Sequence, residues 1–148
     1  MRRSYGLAAA VVALAVLTAV KLRAQQDWSP PSREMPQMPA SSQLGGGWRG
    51  SLGAWFRGAD EGLDGIRAVG EGMPRDMGAA RPRMVRFMGG SRPVAAWSDR
   101  NGDGRADMVE VYRGGALAYQ LIDADYDGSA NVLRVYDASG ALARENRY

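Results

Sequence analysis

The sequence predicts a mainly β protein: an antiparallel meander of about three hairpins, preceded by an N-terminal transmembrane helix and one amphipathic helix. Three features of residues 84–148 predict the sheet: a 24-residue repeat, apolar residues at alternate positions, and glycine-containing turns between the alternating runs. The repeat is visible in Met84-Val85, which returns as Met108-Val109 and again as Val132-Leu133. We therefore expect about six strands, with ordinary turns at one end of the sheet and aspartate-rich loops at the other.

The alternation also predicts which side chains face the core, because successive residues of a strand point to opposite faces. The expected core residues are Val85, Phe87, Val109, Val111, Leu133 and Val135. The expected outward residues are Glu110, Tyr112, Arg134 and Tyr136. Glu110 and Arg134 occupy equivalent repeat positions, so neighbouring hairpins would bring this carboxylate and this guanidinium together.

Residues 1–24 are predicted to be a transmembrane anchor or a signal peptide. Two arginines precede an uncharged and almost wholly apolar run from Gly6 to Val20, and Lys21 follows it. If Lys21 snorkels to the interface, the run approaches the ~17 to 25 residues that a spanning helix needs. We expect an anchor in the lipid of the inner membrane, with the C-terminal domain in the periplasm. Cleavage after Ala24 would instead release a periplasmic or secreted protein.

Three further segments separate the anchor from the repeats. Residues 25–47 contain four prolines and end in three glycines, which predicts an extended tether without a core of its own. This tether is either a spacer or a strap laid over a partner, with Trp28, Met35 and Met38 as the contacts. Residues 48–70 are predicted to form the amphipathic helix, and residues 71–83 a loop.

The helix prediction for residues 48–70 follows from apolar positions at helical spacing, including Leu52, Phe56, Leu63 and Ile66. The glycines in the middle of this segment, Gly53, Gly58, Gly62 and Gly65, lower its intrinsic helix stability, so it must pack against something. Its apolar face either covers this chain's own sheet or docks on a partner.

The composition excludes several classes of function. The 148 residues include 19 basic and 16 acidic residues without a long basic run, so we expect no nucleic-acid partner. The chain has no histidine and no cysteine, which excludes a histidine-based triad, a typical zinc site and an iron–sulfur cluster. We therefore expect a protein that is not an enzyme. A carboxylate-dependent hydrolase would need a second polar constellation, which the sequence does not offer.

The two aspartate-rich loops have the spacing of oxygen ligands for a hard cation. The first reads "DRNGDGRAD" and the second "DADYDGSAN". Alternate residues of such a loop turn their oxygens inward, and the glycine at the sixth position permits the bend. The expected ligands of the first loop are Asp99, Asn101, Asp103, the Arg105 carbonyl, Asp107 and Glu110. Those of the second loop are Asp123, Asp125, Asp127, the Ser129 carbonyl and Asn131. We predict one or two Ca²⁺ ions, the second site being the weaker because Arg134 stands where the first loop has Glu110.

This segment resembles the EF-hand-like calcium loops of extracytoplasmic bacterial proteins, such as dockerin modules and the "DxDxDG" repeats of integrin-like β-propellers. It departs from an EF-hand because "MVEVY" and "VLRVY" are typical of strands where a helix should follow. The resemblance implies metal-stiffened turns between strands and implies no activity.

Together these features predict a membrane-anchored, calcium-binding accessory subunit of a larger integral-membrane protein complex, for example a respiratory or photosynthetic one, without redox or pigment ligands of its own. The alternative is a cleaved, secreted or periplasmic calcium-binding module that recognises a cell-surface partner.

Overall fold

A computed structural model describes residues 28–56, 63–72 and 80–148 of the chain. Within these residues, seven strands form one antiparallel sheet in which each strand pairs with its neighbours in the sequence. The strands are β1 Ile66–Glu71, β2 Met84–Gly89, β3 Arg92–Ser98, β4 Met108–Arg113, β5 Ala116–Ile122, β6 Val132–Tyr136 and β7 Leu142–Arg147. The predicted mainly β fold, an antiparallel meander, is confirmed.

The 24-residue repeat sets the strand positions. Strands β2, β4 and β6 begin at Met84, Met108 and Val132, which are successive repeat positions. The register of each of the three hairpins also shifts at the same repeat position, directly after Phe87, Val111 and Val135. Such irregularities increase the local twist of a strand pair, so the repeat fixes the curvature of the sheet as well as its strands.

The predicted amphipathic helix over residues 48–70 is wrong for most of its described length. Only α1, Trp48–Leu52, is α-helical, and 3₁₀ turns follow at Gly53–Phe56 and Leu63–Gly65. Ile66–Glu71 is strand β1, which pairs with β2 along its whole length. The glycines that weaken a helix here leave tertiary pairing to decide the conformation, and pairing with the exposed edge of β2 satisfies the backbone of this segment.

The transmembrane prediction for residues 1–24 lies outside the described residues, as do parts of the predicted helix (57–62) and loop (73–79). Across residues 28–56, 63–72 and 80–148, the structure contains no helix with the length and apolar character needed to cross a membrane.

One face of the sheet carries the core. Val85, Phe87, Val109, Leu133 and Val135 are buried there, as the alternation predicts. Val111 is partly buried and packs against this core.

Aromatic rings from α1 and the following turn cover this face. The ring of Phe56 lies 4.8 Å from that of Phe87, and the ring of Trp48 lies 5.0 Å from it, both in edge-to-face contact. Trp97 contacts Phe87 from the next strand at 5.0 Å. Edge-to-face pairs at such separations add to the stabilisation from burial.

The segment comprising residues 28–40, which we call the strap, covers the rest of this face near the aspartate loops. Trp28, Met35 and Met38 are buried in the core of this same chain, with Met38 at 0% exposure. Within the predicted tether, residues 28–40 are extended as expected, but Ser41–Gln43 forms a 3₁₀ turn. The buried side chains of Trp28, Met35 and Met38 are not free to serve as contacts on a partner. Burying them on the sheet supplies the cover that an open sheet of this size needs.

Candidate metal centre

The two aspartate-rich loops lie side by side at one end of the sheet. Loop 1, residues 99–107, joins β3 to β4, and loop 2, residues 123–131, joins β5 to β6. The amide of Asp123 donates to the carbonyl of Asp107 at 2.8 Å, which ties the start of loop 2 to the end of loop 1. The amide of Asp99 makes the equivalent bond to the carbonyl of Arg83, also at 2.8 Å. Repeat-equivalent residues therefore have equivalent backbone anchors.

The first aspartate of each loop is buried and holds the glycine at the sixth position. Oδ2 of Asp99 accepts a hydrogen bond from the amide of Gly104 at 2.9 Å, and Oδ2 of Asp123 accepts one from Gly128 at 2.8 Å. The two glycines have φ of +87° and +89°. This left-handed conformation is readily available only to glycine, so the sixth position of each loop requires that residue.

The ninth position closes each loop. Oδ2 of Asp107 accepts from the amide of Asn101 at 3.1 Å, and Oδ1 of Asn131 accepts from the amide of Ala124 at 2.9 Å. Asp107 is 1% exposed. An amide oxygen can replace the carboxylate oxygen in this bond, which explains why asparagine serves in loop 2.

The fifth position is exposed in both loops. Oδ1 of Asp103 accepts from the amide of Arg105, and Oδ1 of Asp127 accepts from the amide of Ser129, each at 2.8 Å. These short-range bonds are typical of aspartate in turns and fix the side-chain orientation.

Each loop gathers three carboxylates closely enough to hold a metal ion. The groups are Asp99, Asp103 and Asp107 in loop 1, and Asp123, Asp125 and Asp127 in loop 2. Within each group, one oxygen of every carboxylate lies within 4.8 Å of the others. Oxygens that share one Ca²⁺ ion at about 2.3 to 2.6 Å are separated by at most about 5 Å, so this spacing fits a common ion.

The carboxylates keep free acceptor capacity despite their hydrogen bonds. The Asp99 side chain accepts one backbone N–H at each oxygen, from Gly102 and Gly104. An ionised carboxylate offers about four lone-pair directions, so about two remain for a cation. A cleft of about 400 Å³ between the loops, lined by Asp103 and Asp127, gives a hydrated ion a path to the exposed oxygens.

The charges around loop 2 favour a cation. Burial raises the pKa of Asp123, and the neighbouring Asp125 carboxyl contributes in the same direction, while backbone N–H donors oppose the shift. A positive charge at the centre of this group would offset that cost.

Arginines already supply part of the positive charge beside the loops. The guanidinium of Arg83 lies 3.9 Å from Oδ1 of Asp99 and donates to the Arg100 carbonyl at 3.4 Å. Arg100 in turn donates to the carbonyl of Asp123 at 3.3 Å. These guanidiniums contact the outside of the loops, mainly through backbone carbonyls, and each therefore compensates only part of the negative charge.

The structure does not bring Glu110 to the acidic group of loop 1. Its carboxylate, on β4, accepts hydrogen bonds from the Tyr112 hydroxyl at 3.1 Å and from Gln120 at 2.8 Å. Gln120 lies between Glu110 and Arg134 in the sheet register, so those two do not pair. Arg134 instead forms an ion pair with Glu145 at 2.8 Å.

Three other predicted ligands lie in the loops with their polar groups engaged. The side-chain oxygen of Asn101 accepts from the amide of Asp103 at 3.0 Å. The side chain of Arg105 forms an ion pair with Glu34 of the strap at 2.9 Å. Ser129 forms an isolated β-bridge with the same Glu34. The predicted carbonyl ligands thus belong to residues that also hold the strap.

The interpretation of the sequence missed the contribution of the strap to this site. Its only signal is a short internal repeat, Glu34-Met35-Pro36 followed by Gln37-Met38-Pro39. A period of three matches neither a helix nor a strand, and it is typical of a polyproline II segment.

Comparisons of this chain with protein-family models, with curated proteins and with solved structures found no match.

Proposed function

We propose that this chain is a non-catalytic binding module whose two aspartate-rich loops take up Ca²⁺. The observation that carries this proposal is that each loop gathers three carboxylates whose oxygens lie within 4.8 Å of one another. Two of the three are at equivalent repeat positions, Asp99 with Asp123 and Asp103 with Asp127. All the donors in these groups are hard oxygens, which suit calcium and not a metal that prefers nitrogen or sulfur.

Bound calcium would act on stability and not on a reaction. It would neutralise carboxylates that burial and mutual repulsion disfavour, and it would hold neighbouring hairpins at fixed positions. Asp99, Asp103 and Asp107 would hold the ion in loop 1, and Asp123, Asp125 and Asp127 would hold it in loop 2. The resemblance to EF-hand-like loops supports the same proposal.

The test is the melting temperature of the full chain by differential scanning calorimetry, with calcium and with chelator. Saturation of one site at 100 times its Kd stabilises a protein by about 2.7 kcal/mol, which corresponds to a rise of several degrees for a domain of this size. Asp103→Ala and Asp127→Ala should each remove part of this rise. Glu71→Ala removes an exposed carboxylate outside the loops and should leave the rise intact. Melting temperatures that chelator does not move would refute the calcium proposal.

We further propose that the module works at a membrane, as an accessory subunit of an integral-membrane complex. The apolar run from Gly6 to Val20 supports this proposal, and so does the lack of histidine and cysteine, which leaves a scaffolding role. Intact mass of the native protein tests the anchor, since an uncleaved chain begins at Met1 and a cleaved one at Gln25. Co-purification in detergent tests the complex, and a monodisperse lone chain would contradict it.

A further inference from the structure

The strap docks on the sheet with a three-residue period that matches the 24-residue period of the repeats. The amide of Met35 donates to the carbonyl of Gly128 at 2.9 Å. Three residues later, the amide of Met38 donates to the carbonyl of Gly104, also at 2.9 Å. An advance of three residues along the strap therefore corresponds to a move of 24 residues, or one repeat, in the sheet.

The bonds in the opposite direction follow the same rule. The amide of Ala130 donates to the carbonyl of Arg33 at 2.7 Å. The amide of Ala106, one repeat earlier, donates to the carbonyl of Pro36 at 2.9 Å. Both directions of hydrogen bonding thus repeat with the same two periods.

A third hydrogen bond continues both periods, although its two residues lie outside the strap and outside the aspartate-rich loops. The amide of Ser41 donates to the carbonyl of Ala80 at 3.1 Å, three residues after Met38 and 24 residues before Gly104. Arginines one repeat apart add side-chain bonds: Arg81 donates to the Met38 carbonyl, and its repeat equivalent Arg105 donates to the Met35 carbonyl at 3.2 Å.

The match has a simple geometric origin. Pro36 and Pro39 fix their own φ near that of polyproline II and push Met35 and Met38 into the extended region. Ala40, directly after Pro39, has φ −66° and ψ 153°, which is close to polyproline II. Three residues of that helix rise by about 9.3 Å. Successive loops at one end of a meander are two strand spacings apart, which is about 9.5 Å.

From this match we propose that the loop end of the sheet is a recognition groove for extended, proline-containing segments with a methionine at every third residue. The strap is the built-in occupant of this groove, and a segment of the same chemistry on another chain displaces it. Affinity comes from the backbone bonds to the loops, and selectivity comes from the two sites that bury Met35 and Met38 to 1% and 0% exposure. This is the way in which other grooves read extended segments, through a fixed backbone period and pockets for selected side chains.

The strap competes with an external segment because it is covalently attached. Attachment through a short linker gives an effective concentration on the order of millimolar or higher, so an external peptide at micromolar concentration binds weakly while the strap is docked. Disturbing the period of the strap, without removing either methionine, should therefore open the groove.

The first experiment measures binding of a labelled peptide with the sequence of residues 32–40 to the full chain by fluorescence anisotropy. One variant of the chain carries a glycine inserted between Pro36 and Gln37, so that both triplets cannot dock at once. We expect this variant to bind the peptide at least ~10-fold more tightly than the unmodified chain does. A peptide with the same glycine insertion is the matched control and should bind weakly to both. Equal binding of the two peptides would overturn the proposal, as would a folded insertion variant that gains no affinity.

The second experiment does not depend on the folding of the insertion variant. The chain has no cysteine, so a single introduced cysteine reacts without background. Gln37 and Arg105 form a backbone bridge, which places their side chains close together. With oxidised glutathione as the oxidant, a peptide with Gln37→Cys should form a disulfide with the Arg105→Cys chain. A peptide with Pro36→Cys, one residue out of phase, should react at least ~10-fold more slowly, and equal rates for the two peptides would overturn the proposal.

Discussion

Met38→Ala tests whether the strap is part of the core in solution. The Met38 side chain is 0% exposed and is packed in the same cluster as the aromatic residues of the sheet. Truncation removes its buried thioether and leaves a cavity between the strap and the sheet, which costs about 2 to 5 kcal/mol at fully buried sites. The backbone bond from Met38 to Gly104 does not involve the side chain, so the strap can remain docked and the loss should stay within this range.

Urea denaturation of the full chain measures this loss as a change in the free energy of unfolding. Leu142→Ala is the matched control, because Leu142 lies on the edge strand β7 and is 52% exposed. We expect it to change stability by no more than about 0.5 kcal/mol. If Met38→Ala costs no more than Leu142→Ala, the strap is not docked in solution, and the inference drawn from its contacts fails with it.

Three further predictions concern the loops and the outer face of the sheet. Gly104→Ala should destabilise the fold by about 1 kcal/mol or more, because alanine disfavours φ of +87°. Gly50→Ala is the control: Gly50 lies in α1, a Cβ there meets open space, and the change should be neutral or stabilising. Thermal denaturation of both variants measures the difference. In chelator, Asp99→Ala should lower the free energy of unfolding by about 1 to 3 kcal/mol, because it leaves the Gly104 amide unpaired. Asp103→Ala removes an exposed side chain and should lower it by less. Equal losses in urea denaturation would contradict this prediction. Burial, followed by the charge of Glu110, raises the pKa of Tyr112 to about 12. The contribution of the protonated Tyr112 hydroxyl to stability should therefore be complete below about pH 10 and be lost as the pH rises through about 12. Ultraviolet titration of tyrosinate, with Tyr112→Phe as control, measures this pKa.

The fold from β2 onward could be predicted because two signals agree there. The 24-residue repeat and the alternation of Val85, Phe87 and their equivalents both indicate the same strands. Strand β1 could not be predicted in this way, since Ile66 falls at helical spacing after Leu63 and the segment lacks a full repeat partner in the sequence. Its conformation is decided by the unpaired edge of β2, which is a tertiary contact that no local pattern reveals.

The acidic groups of the candidate site could be predicted from the spacing of the aspartates, but the full set of residues that contact each group could not. Spacing places Glu110 at the twelfth position, yet the exit segment is strand β4 and not a helix, so this side chain faces Tyr112 and Gln120 on the sheet. Ser129 and Arg105 contact Glu34 of the strap, about 70 or more residues away in the chain, and loop spacing contains no information about such a contact.

The glycine at the sixth position joins the acidic groups to the strap. The amide of Gly104 donates to Asp99, while its carbonyl accepts from Met38; Gly128 has the same two roles toward Asp123 and Met35. A residue that satisfies a buried carboxylate on one side and a docked segment on the other cannot move without affecting both. The left-handed glycine is required for the turn, and its carbonyl also accepts the bond from the strap. A repeat position without the acidic residues and without a left-handed glycine can also present such a carbonyl. Ala80, the residue one repeat before Gly104, does so for Ser41, which shows that the backbone period of the groove does not depend on the carboxylates.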